Sequence, residues 1–139
     1  MRVIKVSEAS GAVLDWLVAK CEGEGIRVEG GKVRFALSQF MPDYDLYSPS
    51  TDWGQGGPIK EREGIATRRS KGKWYAMLSS DLGDGERAQW CKFTFIGVPK
   101  GASTSRRCLF DGETELQAAM RCYVASKLGD TAEVPDELA

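Results

Sequence analysis

Residues 114–129 read TELQAAMRCYVASKLG and predict an amphipathic helix. Thr114 stands three positions before Gln117, which is the spacing of a capping box, and Gly129 follows the last apolar residue as a stop signal. The apolar face comprises Leu116, Ala119, Met120, Tyr123, Val124 and Leu128. We expect this face to pack on a sheet through Leu116, Met120, Tyr123 and Val124, because no other part of the C-terminal region could bury it.

A second helix is expected near the N-terminus, after a short strand at residues 1–6. Ser7 or Ser10 can cap this helix, and it runs to about Glu22, where Gly23 favours a stop. One face of the segment carries apolar residues at helical spacing, namely Val13, Leu14, Leu17, Val18 and Cys21.

The middle of the chain predicts strands separated by turns. Residues 26–37 alternate apolar and polar side chains around Gly30 and Gly31, which is typical of a hairpin or of one interrupted strand. Further strands are expected at about residues 63–70, 73–79 and 89–98. Residues 38–58 lose periodicity and contain many turn-forming residues, so we expect a long loop that its aromatic side chains order against the body.

This order of elements predicts an α+β fold, with two helices packed on one face of a mainly antiparallel sheet of about five strands. We expect one domain at residues 1–129. Residues 130–139 contain four acidic residues and no basic one, so they predict a solvated acidic tail, or a short strand at residues 132–134.

Composition excludes several classes of site. The chain has 139 residues, a net charge of −1 and no histidine, which excludes a Ser-His-Asp triad and an HExxH zinc helix. The four cysteines form no CxxC pair, so we expect them to pack as small apolar residues, with a four-thiolate zinc site from distant segments as the alternative, and we expect no cofactor. No export segment or membrane span is evident, so a protein of a reducing cytoplasm is expected.

Several stretches together resemble one protein family. They are SGAVLDWLVAKCEG at 10–23, YSPSTDW at 47–53, GGPI at 56–59 with Ile65, WYA at 74–76 and LQAAMRCYVASKLG at 116–129. In these residues the chain resembles the NinX-like family of small phage and prophage proteins. The resemblance implies a phage or prophage accessory protein. The family has no established activity, so the resemblance implies no catalytic residues.

The loop at residues 48–58 allows two interpretations. Its glycines and the hydroxyls of Ser50 and Thr51 could surround an anion with backbone N–H groups. Alternatively, the loop is a structured turn in which Asp52 caps local N–H groups and Trp53 fastens the loop to the core.

Charge is distributed unevenly along the chain. Residues 58–108 hold eleven basic and five acidic residues, so this segment carries +6 and the remainder carries −7. Together with nearby aromatic rings, it could bind phosphates, bases or an acidic partner surface. The candidate binding residues are Trp53, Arg68, Arg69, Trp74, Arg106 and Arg107. We expect Trp53, Trp74, Arg68 and Arg69 to face one concave patch, although a solvated basic surface would show the same sequence pattern.

These observations favour a binding protein over an enzyme. The leading hypothesis is a counter-defence protein of the bacterial host cytoplasm that inhibits a host immune factor or captures a small nucleotide-like, phosphate-bearing signal molecule. The alternative is a nucleic-acid-associated accessory protein that uses the basic and aromatic residues of the 58–108 segment. A hydrolase that uses Asp or Cys is a third, weaker hypothesis. The sequence leaves the oligomeric state open.

Overall fold

The last helix of the chain forms the centre of the fold. The structure, a computed structural model, describes residues 1–36, 45–78 and 109–138. Its described helices are α1 (Gly11–Glu22), α2 (Trp53–Arg62) and α3 (Glu115–Leu128). Because α3 packs against both other helices and against several strands, it links the helical part of the molecule to the sheet part.

The sequence pattern of α3 is confirmed. Thr114 Oγ1 accepts the N–H of Gln117 at 3.1 Å, and the Gln117 side chain accepts the N–H of Glu113 at 2.7 Å. The four side chains expected to pack inward, Leu116, Met120, Tyr123 and Val124, are each at most 2% exposed. Leu128 was expected on the same face, but it is 39% exposed because it lies in the last turn, where the buried face ends.

The boundaries of α1 also agree with the sequence pattern. Ser10 occupies the N-cap position, although its side chain makes no capping hydrogen bond. Gly23 ends the helix with a φ of 72°, in the left-handed region that a glycine adopts without strain.

The described strands form three small antiparallel sheets. These strands are β1 (Arg2–Lys5), β2 (Ile26–Glu29), β3 (Lys32–Phe35), β4 (Ile65–Ser70), β5 (Lys73–Leu78), β6 (Phe110–Gly112) and β7 (Thr131–Val134). β1 pairs with β7, β2 pairs with β3, and β5 lies between β4 and β6. The α+β class is confirmed, but these strands do not form one sheet of about five. The β2–β3 hairpin packs against α1, the three-stranded sheet packs against α3, and the β1–β7 pair packs against both helices.

The predicted hairpin after α1 is present. β2 and β3 are joined through Gly30 and Gly31, with φ angles of 62° and 73°. Two successive residues of positive φ give a tight turn whose twist suits antiparallel strands.

The prediction of an uninterrupted loop at residues 38–58 is wrong, because α2 begins at Trp53. Asp52 caps this helix by accepting the N–H of Gly54 at 2.8 Å. Gln55 fixes the preceding chain, since its side chain accepts the N–H of Ser48 at 2.6 Å and donates to the carbonyl of Leu46 at 3.0 Å. These hydrogen bonds from the Asp52 and Gln55 side chains stabilise α2, although its amino-acid composition does not favour helix formation.

The C-terminal residues join the fold as a strand. β7 pairs with β1 in antiparallel register, with Arg2 opposite Val134, and Val134 is fully buried. The short-strand alternative for this region is therefore the one observed. The expected strand at residues 89–98 lies outside the described residues.

Candidate functional site

The most prominent basic feature of the described chain is the tip of the β4–β5 hairpin. The turn uses Lys71 and Gly72, whose φ angles are 52° and 82°. All six residues from 68 to 73 are exposed, which is the longest exposed run in the described residues. They read RRSKGK and carry four positive charges and no negative charge. We call these residues the basic tip.

The cations of the basic tip are largely available to a partner. Arg68, Arg69 and Lys71 form no ion pair with a carboxylate of the described residues. Lys73 lies 3.4 Å from Asp111 on the neighbouring strand, but both groups remain accessible to solvent. An exposed pair of this kind contributes little to stability and is weakened by salt.

Strand alternation places the two arginines on opposite faces of the hairpin. Arg69 lies directly opposite Trp74, whereas Arg68 lies opposite Tyr75. Successive side chains of a strand point to opposite faces, so the expected single concave patch containing both arginines is not formed. The hairpin instead presents one arginine beside an aromatic residue on each of its faces.

The base of the hairpin is anchored to the rest of the molecule. Thr67 donates to Glu115 at the start of α3, with an Oγ1 to Oε1 distance of 2.7 Å. Trp74 is half-buried against the main core, and Tyr75 packs with Met77 in a separate small cluster on the other face. A fixed base with an exposed tip suits a binding element that needs no folding when it meets its partner.

Trp53 occupies a different environment from the one predicted. It is the first residue of α2, and its side chain is 52% exposed, so it does not fasten the loop to the core. An exposed tryptophan is a common anchor of protein interfaces. The described structure does not show a patch that joins Trp53 to the basic tip.

The segment at residues 48–58 does not form an anion cradle in its part before α2. The backbone N–H of Ser48 is bound by Gln55, that of Ser50 by Asp15, and those of Thr51 and Asp52 by the carbonyl of Ser48. Because these donors already have partners within the chain, the structured-turn interpretation is supported, except for the anchoring role it gave to Trp53.

Asp15 is a buried carboxyl that fastens this loop to α1. It is 6% exposed and accepts the N–H of Ser50 at 2.8 Å. Burial raises the pKa of Asp15 to about 6, and the hydrogen bond from the Ser50 N–H opposes that increase only in part. The group faces the loop backbone rather than an open cleft, so its role is structural.

Asp45 is also committed to the interior. Its Oδ1 accepts from Arg34 at 2.5 Å and its Oδ2 accepts from Arg27 at 2.6 Å. Burial would raise the pKa of Asp45, but the two guanidinium groups outweigh it and hold that pKa below its usual value. Both carboxylate oxygens are used, so Asp45 is not free to bind a metal ion.

Other arginines of the described chain hold elements together. Arg62 at the end of α2 binds both carboxylate oxygens of Glu22 on α1, at 3.0 and 2.6 Å, and it contacts Glu63 at 2.9 Å. Tyr123 of α3 also donates to Glu22. These hydrogen bonds from Arg62 hold the pKa of Glu22 below its ordinary value.

Arg121 has a similar role within the core. It donates to the carbonyl oxygens of Ala9 and Asp111 at 2.7 and 2.8 Å and is largely buried. The contrast with Arg68 and Arg69 distinguishes structural arginines from those available for binding.

Sequence reasoning did not single out Lys71 as a binding candidate. The signal was the Lys-Gly pair between two strand patterns, which predicts a tight turn and so places this lysine at an exposed end. Two predicted site residues, Arg106 and Arg107, lie outside the described residues, as do Cys91 and Cys108.

The described residues show neither a metal-binding cluster nor a membrane-spanning helix. No group of three or more Cys, Asp or Glu side chains there is arranged to hold a metal ion. No described helix combines the length and the apolar character that crossing a membrane requires.

Comparison with known proteins identifies one family model that matches the part of the chain containing the basic tip. The model described as Bacteriophage P22, NinX matches residues 5–89, which is more than half of the chain. The matched range includes α1, α2 and the basic tip. No curated protein matches the chain.

Proposed function

We propose that this chain, which belongs to the Bacteriophage P22 NinX family, is a non-catalytic phage accessory protein that binds the nucleic-acid backbone through the basic tip. Membership of the family confirms the resemblance read from the sequence. Family membership makes the protein a phage accessory protein.

The observation that carries this proposal is the run of six exposed residues with four cations and no acid. Binding to a nucleic-acid backbone depends on Lys and Arg that are free to displace counterions from phosphates. Arg68, Arg69 and Lys71 meet that requirement, since no described carboxylate neutralises them.

The shape of the basic tip favours a polymer over a small ligand. A two-stranded ribbon fits the major groove of a duplex, where phosphates lie on both sides of an inserted element. Arg68 and Arg69 point to opposite faces of the hairpin, so they suit two phosphate rows better than one small phosphate-bearing molecule. This geometry favours the nucleic-acid hypothesis over capture of a nucleotide signal.

A binding role without catalysis agrees with the chemistry of the chain. It contains no histidine, and the carboxylates Asp15, Asp45 and Glu22 serve structural contacts. We expect the protein to act in the host cytoplasm, where the phage genome is transcribed and replicated.

The direct test measures binding of a fluorescent mixed-sequence duplex by the full chain and by an Arg68→Gln, Arg69→Gln variant. We expect the variant to bind the duplex roughly tenfold more weakly or worse, because two phosphate contacts are lost. A single-stranded DNA and an RNA duplex of the same length identify the preferred polymer.

A matched control removes the same charge elsewhere. Arg2 and Lys5 are exposed on β1, away from the basic tip. An Arg2→Gln, Lys5→Gln variant loses two positive charges, so it has the same net charge as the Arg68→Gln, Arg69→Gln variant. It should bind the duplex nearly as well as the parent chain. Equal losses in both variants, or no binding by the parent chain at physiological salt, would contradict the proposal.

Exposed Trp53 favours a second candidate function, inhibition of a host defence protein. Tryptophan is enriched among the residues that dominate protein interfaces, and this one is 52% exposed. The test compares the host proteins that co-purify with the parent chain and with Trp53→Ala from infected cells. Loss of one specific host defence protein with Trp53→Ala would support this candidate, whereas an unchanged set of host proteins would count against it.

A further inference from the structure

The β1–β7 ribbon exposes an apolar surface that the proposed function does not use. Among the described residues four large hydrophobic side chains are exposed, and three of them, Met1, Val3 and Leu128, lie together, with exposed fractions of 71, 64 and 39%. They border a groove of about 460 Å³ between the ribbon, α1 and the end of α3. We call this surface the ribbon groove.

The outward face of the ribbon forms one side of the groove. Val3 lies directly opposite Glu133, so both side chains share this face, whereas Ile4 packs against the core. Ala132 contacts the core and also lines the groove. Trp16 and Leu17 of α1 line the opposite side. Met1, Val3 and Leu128 are the exposed apolar side chains of this groove, so covering them with a partner surface would be favourable.

The charges at the rim of the ribbon groove have opposite signs. Lys20 lies on the α1 side, with its Nζ 5.2 Å from the centre of the Trp16 ring. Glu133 lies on the β7 side. These two groups form no salt bridge with each other or with another described residue.

This arrangement is self-complementary. A two-fold axis through the groove would exchange its sides and bring α1 of one copy against β7 of the other. Lys20 of each copy would then face Glu133 of its partner, while the apolar side chains between them were covered. A patch with one sign of charge would repel its own copy, whereas this one attracts it twice.

We infer that the ribbon groove is a two-fold interface between two copies of this chain. The interface lies on β1, β7 and α1, apart from the basic tip, so it is independent of the proposed function.

Sedimentation equilibrium of the full chain across a range of concentrations tests this inference. The parent chain should show a dimer with twice the mass of one chain. Lys20→Glu and Glu133→Lys should each weaken dimerisation by roughly tenfold or more, because each places like charges together at both contacts. Val3→Asp, at an exposed position, should weaken it as well.

Mixing the two charge variants provides the decisive arm. In a mixed dimer, Glu at position 20 of one chain faces Lys at position 133 of the other, and the unaltered Lys20 and Glu133 face each other at the second contact. An equimolar mixture should therefore dimerise about as well as the parent chain.

Glu61→Lys is the matched control, because Glu61 is exposed on α2 and lies outside the groove. It should leave dimerisation unchanged, and circular dichroism should show that every variant is folded. A parent chain that stays monomeric at all concentrations would overturn the inference. So would a dimer that is insensitive to Lys20→Glu and Glu133→Lys, or single variants whose mixture does not recover.

Discussion

Asp15 shows how one buried side chain links the stability of this molecule to pH. Its carboxyl lies between α1 and the loop that precedes α2, where it accepts the N–H of Ser50. Burial raises its pKa from 3.8 to about 6, so the fold favours the neutral form. The stability that this group provides is fully present below about pH 3.8 and is lost as pH rises through about 6.

Asp15→Asn should remove this pH dependence, because an amide does not titrate. Relative to the parent chain, the free energy of unfolding of the variant should rise between about pH 4 and pH 7 by up to about 3 kcal/mol. Urea unfolding of both proteins across this range gives the difference directly. A difference that stays constant with pH would show that the Asp15 carboxyl has an ordinary pKa in the fold.

At the scale of elements, α2 depends on close packing of its glycines. A Cβ at Gly56 would lie 2.1 Å from the carbonyl oxygen of Pro49, whereas a Cβ at Gly57 would lie 3.4 Å from the nearest atom, on the Trp53 ring. The first contact involves backbone that cannot move aside. The second is at the limit of ordinary packing.

Gly56→Ala should therefore lower the free energy of unfolding by about 1–3 kcal/mol or more, which is the range for overpacking a tight site. Gly57→Ala in the same helix should cost less, because its Cβ makes no clash with Pro49, although a Cβ directly before Pro58 disfavours helical backbone. Thermal and urea unfolding of the two variants check this. Equal effects would contradict the close approach of α2 to Pro49.

The burial of α3 can be tested through its central side chain. Met120 is fully buried, so Met120→Ala should cost about 2–5 kcal/mol of unfolding free energy, the usual range for truncating a large core residue. Differential scanning calorimetry measures the effect. A variant that melts at the temperature of the parent chain would show that Met120 does not lie in the core.

The elements predicted correctly are those with local signals. Thr114 and Gln117 cap α3 within one turn, and Gly23 ends α1 by its own conformational freedom. α2 was not predicted because three glycines and Pro58 lower its helix propensity, and much of its support comes from packing against α3 and β4, which lie elsewhere in the sequence. Asp52 is the local signal for its start, but the packing partners of α2 cannot be read from the local sequence.

The candidate site was predicted in part. The basic segment pointed to Arg68 and Arg69, and both are exposed on β4. The separation of their side chains onto two faces follows from strand geometry, so the sequence alone was enough to predict it. The exposure of Trp53 could not be predicted from the sequence, because it depends on how α2 packs against α3.

For the whole molecule, the central feature is an uneven charge distribution hidden by a net charge of −1. Many described arginines, including Arg27, Arg34, Arg62 and Arg121, are engaged in structural contacts. Those of the basic tip are not, so the field that a polyanion meets is concentrated at one end of one hairpin.

The salt dependence of duplex binding tests this account most directly. The logarithm of the binding constant should fall linearly with the logarithm of the salt concentration, and its slope should be smaller by about 2 in the Arg68→Gln, Arg69→Gln variant, because two phosphate contacts are lost. The Arg2→Gln, Lys5→Gln variant should keep the parent slope. A tip variant with the parent slope, or a parent chain whose binding does not respond to salt, would contradict a nucleic-acid-binding role for the hairpin.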